Sequence, residues 1–94
     1  MSSVSVSVTA TVAPKALDPA RAIRAALERM RDCVGEARSE SRVVGDTRTV
    51  HVRATFRQAT GDAELTARVE MAVRELLDRL EVQPATLEVR ATPS

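Results

Sequence analysis

The strongest constraint on this chain lies in its first dozen residues. Val4, Val6, Val8, Ala10 and Val12 alternate with Ser3, Ser5, Ser7, Thr9 and Thr11. A period of two resolves into one apolar and one polar face only in a β-strand, and β-branched residues dominate the segment. The apolar side of such a strand needs a cover, whereas the polar side tolerates water. The expected sheet is therefore covered on one face only.

The pattern then changes period. Pro14 ends the strand, and Asp18-Pro19 reads as a helix start, with Asp accepting from free amides and Pro giving up no needed donor. Ile23, Ala26, Leu27, Met30 and Cys33/Val34 follow at spacings of three and four, which predicts an amphipathic helix over 19–34, closed by Gly35. Gly45-Asp46 separates two extended segments as a tight hairpin turn. In the downstream segment Val50, Val52, Ala54 and Phe56 face in, while His51, Arg53, Thr55 and Arg57 face out. The upstream one is short and charged, as expected at a sheet edge. Asp62 is the expected cap of a second helix, whose stripe runs through Leu65, Val69, Ala72, Val73, Leu76, Leu77 and Leu80. Glu64–Arg68, Glu70–Arg74 and Glu75–Arg79 are spaced for i, i+4 ion pairs. Beyond Pro84, Leu87, Val89 and Ala91 alternate as a last strand.

The expected elements are strands at 3–12, 38–44, 47–57 and 85–92 and helices at 19–34 and 62–80, within one domain over residues 1–94. Strand, helix, strand, strand, helix, strand is an α+β order. With right-handed crossovers it gives a ferredoxin-like βαββαβ sandwich, a four-stranded antiparallel sheet with two helices on one face. The first and third strands, the most sharply patterned, take the centre. At 94 residues there is room for one core, and with Phe56 the sole aromatic that core is aliphatic.

Composition narrows the function classes. A net charge of +1 demands no anionic partner. The cations are nearly all arginine, Lys15 being the one lysine; arginine suits bidentate anion recognition, but a coding bias toward Ala, Arg and Val gives the same picture. Cys33 is the one cysteine, so neither an internal disulfide nor a thiolate cluster is expected, and the chain is compatible with a reducing compartment. The residues from Met1 to Val8 alternate rather than run apolar, so no secretory leader and a cytoplasmic location are expected.

Families that share this fold are distinguished by specific residues. Metal-carrying domains resemble one another in a CxxC loop after the first strand, acylphosphatase-like domains in a glycine-rich anion loop with an arginine, and ACT-type domains in a glycine at that turn. Here the loop is Ala13-Pro14-Lys15-Ala16-Leu17 and departs from all three. RNA-recognition motifs stack bases on aromatics of the open sheet face, whereas Phe56 has the parity of the core. No catalytic residues, no metal site and no cofactor are expected.

His51, the only histidine, is a candidate base or ligand contact, set against a plain solvated side chain because spacing fixes no carboxylate beside it. Cys33 reads as a packed thiol on the buried edge of the first helix. Met71 falls opposite the apolar stripe of its helix, either as a lone exposed side chain or as a partner contact. The one surface singled out is the outward sheet face, with Ser5, Ser7, Thr9 and Thr11 beside His51, Arg53, Thr55 and Arg57. Arg42 and Arg90 flank it, and Glu40 and Glu88 serve as counter-charges. Arg42, His51, Arg53, Arg57 and Arg90 are the candidate partner surface. A solvated face, self-association, and binding of an anion or RNA backbone by the arginines all remain open. The leading expectation is a non-catalytic interaction or oligomerisation module whose partner is itself or another protein, without membrane contact. The alternatives are a small RNA- or anion-binding domain and an engineered ferredoxin-like protein without natural function, the latter because propensity, capping and turns agree so well.

Overall fold

A computed structural model describes residues 3–57 and 61–93. The elements are β1 (Ser3–Val12), α1 (Ala20–Glu28), β2 (Cys33–Val44), β3 (Thr47–Arg57), α2 (Asp62–Arg79) and β4 (Thr86–Pro93). The strands form one antiparallel sheet in the order β2-β3-β1-β4. This is the ferredoxin-like arrangement, with β1 and β3 at the centre.

The alternation in β1 does what its period dictates. Val4, Val6, Val8, Ala10 and Val12 are buried, as are Val50, Val52, Ala54 and Phe56 of β3. Ile23 and Leu27 of α1 and Leu65, Val69, Val73 and Leu77 of α2 close over them in one cluster. Helix α1 lies over β2 and β3, and α2 lies toward β4. Leu87, Val89 and Ala91 of β4 are only partly buried, because an edge strand lies beyond full helix cover. Each fully buried side chain of this size is worth about 1.5–3 kcal/mol. Among the described residues none of the buried ones is polar or charged, and none of the helices is long and apolar enough to cross a membrane.

The first helix and second strand differ from expectation. Helix α1 ends at Glu28, not at residue 34, and β2 begins at Cys33, not at residue 38. After Glu28 the chain tightens, with Met30 N–H bonding Leu27 O at 3.1 Å. It then crosses to β3, where Arg57 N–H reaches Asp32 O at 2.8 Å. An eleven-residue β3 offers ladder groups along its whole length, and satisfying them outweighs extending a short helix. Gly35 therefore does not cap α1. It lies within β2 at φ +68°, where the register shifts between Val34 and Arg38. Four steps on β2 from Val34 to Arg38 oppose two on β3 from Thr55 to Arg53, so the strand bulges. A positive φ suits glycine at such a place. The Ala37 N–H turned away from the ladder is taken by Glu28 Oε2 at 2.7 Å, which ties the bulge to the end of α1.

Helix starts also differ. Asp18 Oδ1 accepts from Ala20 N–H at 3.0 Å, but helical geometry begins at Ala20, with Pro19 in the cap position. Gly61, not Asp62, caps α2, and Asp62 and Glu64 lie in its first turn, where the helix dipole favours negative charge. The Glu70–Arg74 pair closes at 3.1 Å, whereas Arg68 approaches Asp32 at 4.0 Å. The 45–46 hairpin has positive φ at Gly45 (+59°) but not at Asp46, the pattern of a II′ turn.

Cys33 lies on β2 opposite Phe56, half-buried against the core, not on a helix. Burial pushes its thiol pKa up, and the Glu28 carboxylate adds to that rise. A raised pKa leaves less thiolate at a given pH. At pH 8 Ellman's reagent should therefore label Cys33 more slowly in the folded protein than in urea, and equal rates would contradict this environment.

Helix α2 ends in a Schellman motif. Val82 N–H bonds Leu77 O at 2.9 Å, and Glu81 N–H bonds Asp78 O at 3.1 Å. The motif needs a left-handed residue at its C′ position, and Glu81 fills it at φ 58°. An L-residue there costs about 1–2 kcal/mol, against the 0.5–1 kcal/mol of chain entropy that glycine adds. Glu81→Gly should raise stability by roughly 0.5–1 kcal/mol in urea denaturation. A lowered midpoint would contradict the motif.

Candidate functional site

The face of the sheet turned away from the helices is open, and strand register sets its chemistry in rows. Arg38, Arg53, Ser7 and Arg90 stand side by side across β2, β3, β1 and β4. The next row is Glu40, His51, Thr9 and Glu88, followed toward the hairpin by Arg42, Thr49, Thr11 and Thr86. On the other side of the arginines lie Val34, Thr55, Ser5 and Thr92. The centre is lined by small hydroxyl side chains, and the long charged ones cluster on β2, β3 and β4.

The structure brings His51 and Arg53 to the middle of this face. Arg90 shares the row of Arg53, with Ser7 between them, and Arg42 flanks His51 two positions toward the hairpin on β2. Arg57 is not part of the cluster. It pairs with Ser3 at the far end of the β1–β3 ladder, six residues from His51.

Glu40 is directly opposite His51 on β2, a carboxylate neighbour that spacing alone did not fix. The imidazole's hydrogen bond nevertheless goes to the other side, between Nδ1 and Thr9 Oγ1 at 3.1 Å. Thr11 Oγ1 and Thr86 Oγ1 meet at 2.6 Å, and Arg90 pairs with Glu88 along β4. Hydroxyl, imidazole and carboxylate thus stand in one row, but the face is open and the amides of β1 and β3 are committed to the ladder. Nothing in that row offers paired N–H donors to a developing oxyanion. No group of three or more metal-ligating side chains occurs among the described residues.

Two residues belong to the picture without having been singled out. Arg38 shares the outward parity of Glu40 and Arg42, yet the poor patterning of the 37–41 segment hid it. It stands directly opposite Arg53, and among the described residues neither guanidinium has an ion pair or side-chain hydrogen bond. Like charges facing across strands are destabilising. Arg48 has the inward parity of Val50 and opposes Val12. Its Nη1 donates to Asp18 Oδ2 at 3.1 Å and to Ser41 Oγ at 2.9 Å, which leaves its Nε buried and unpaired. It closes the hairpin end of the core and is not part of the open face.

Away from the sheet face, Met71 is 65% exposed and flanks a groove between α2 and β4 together with Thr66, Glu70 and Val89.

No family model matches the chain. No curated protein matches it. A solved structure similar to it is the de novo designed protein Foldit4, at 24% identity over 98% of each chain with a TM-score of 0.59. At that identity the likeness shows the ferredoxin-like fold and nothing about function.

Proposed function

We propose that this chain is a non-catalytic interaction module whose working surface is the open sheet face. The observation that carries this reading is the row structure itself. Small Ser and Thr side chains along β1 leave a flat strip that another surface can approach closely, and charges of both signs stand in neighbouring rows to set orientation. A module of this kind needs no cofactor, and its single partly buried thiol suits a reducing cytoplasm.

Two specific observations favour other readings. The opposed, carboxylate-free Arg38 and Arg53 make a fork that suits a phosphate or carboxylate, as an anion- or RNA-binding domain requires. The absence of aromatics on the face and the net charge of +1 weigh against RNA. The likeness to Foldit4 along nearly the whole of both chains supports an engineered scaffold without natural function. The comparisons favour that scaffold reading over the interaction module; the geometry of the face favours the module.

Light scattering across protein concentration tests the proposal. The wild-type chain should show a mass that rises toward a dimer with concentration and falls with added salt. Thr9→Arg, a long charge in the middle of the flat strip, should hold it monomeric. A wild-type monomer up to about millimolar concentration, about 4 kcal/mol of association free energy, would contradict self-association through this face and favour the scaffold.

A further inference from the structure

We propose that the occupant of the open face is a second copy of this chain, docked about a two-fold axis that runs across the strands between the arginine row and the glutamate row. This rests on the reading of the face as an interaction surface. Two stacked sheets related by a two-fold axis in their common plane have few placements, and charge separates them.

An axis across the strands lays each strand over its own equivalent in reverse. Placed between the two rows, it sets Arg38 against Glu40 of the second copy and Arg90 against Glu88, and symmetry doubles both pairs. Arg53 then meets His51, whose Nε2 is an acceptor when Nδ1–H donates to Thr9. Ser7 meets Thr9, and Thr11 meets Ser5, side chains small enough for close approach. Beyond them Arg42 meets Val34, so no row sets like charges together.

Other placements fail on the same residues. An axis along the strands, between β1 and β3, lays β2 on β4 and sets Arg38 against Arg90 and Glu40 against Glu88. An axis centred on either charged row opposes that row to itself. An axis one row nearer the hairpin pairs Glu40 with Arg42 and leaves Arg38, Arg53 and Arg90 without a carboxylate. Four strands at about 4.8 Å and some eight residues at about 3.4 Å give a face of roughly 500 Å². Two such faces bury about 1,000 Å², the lower bound for a specific interface. A weak, salt-sensitive dimer is the expected species.

Charge reversal in halves tests this placement. Arg38→Glu with Arg90→Glu should weaken self-association at least tenfold, and so should Glu40→Arg with Glu88→Arg. An equimolar mixture of the two variants should dimerise, because every opposed pair is restored between them. The fourfold exchange of all these residues within one chain should also dimerise, and circular dichroism confirms that each variant is folded. If the wild type dimerises and Thr9→Arg disperses it, but the half-reversed variants still self-associate or their mixture stays monomeric, the placement is wrong and the interaction face stands. If the wild type does not dimerise, the second copy is not the occupant and its placement falls, whatever other partner the face takes.

Discussion

Everything in this molecule depends on β1 being paired on both sides. It lies between β3 and β4, so its register decides at once which residues enter the core and which stand in each row outside. Val8 meets Val52 on one side and Val89 on the other. One step along the strand, Ser7 meets Arg53 and Arg90. A slip of a single residue would send five small apolar side chains to water and bring serines and threonines under the helices. The cost of burying those hydroxyls without partners fixes the register more firmly than any surface contact does.

The core face and the open face are therefore two consequences of one pattern. Burial beneath α1 and α2 holds the sheet against the helices, and nothing on the other side needs to contribute to stability. That side is free to carry a charge arrangement that is unfavourable in isolation, such as Arg38 opposite Arg53. The bulge at Gly35 belongs to the same arrangement. By absorbing extra residues of β2 it lets Cys33 meet Phe56 at one end while keeping Arg38, Glu40 and Arg42 in register with β3 at the other. Glu28 secures that bulge from the end of α1.

What was legible in the sequence was what periodicity encodes. The alternation over 3–12 and 47–57 gave the central strands, and the stripe from Leu65 to Leu80 gave α2. The end of α1 was not legible, because Met30, Cys33 and Val34 continue its helical spacing while β3 competes for the same backbone as a sheet partner. No local pattern contains that competition. The same competition takes Cys33 from the helix its spacing implies into β2, whereas Arg38 is hidden by the poor patterning of the 37–41 segment. The left-handed Glu81 has no sequence signal either, since glycine is the usual residue there. The outward residues of β1 and β3 could be assigned by parity, but the neighbour each one meets required the register.

The most direct measurement of that register is the set of cross-strand nuclear Overhauser effects from β1 in an isotopically labelled sample. That register predicts contacts linking Ser7 to Arg53 on one side and to Arg90 on the other, with Thr9 linked likewise to His51 and Glu88. Contacts from Ser7 to Val52 or Val89 as its directly paired neighbours, or a β1 paired on one side only, would contradict it and dissolve the rows on the open face.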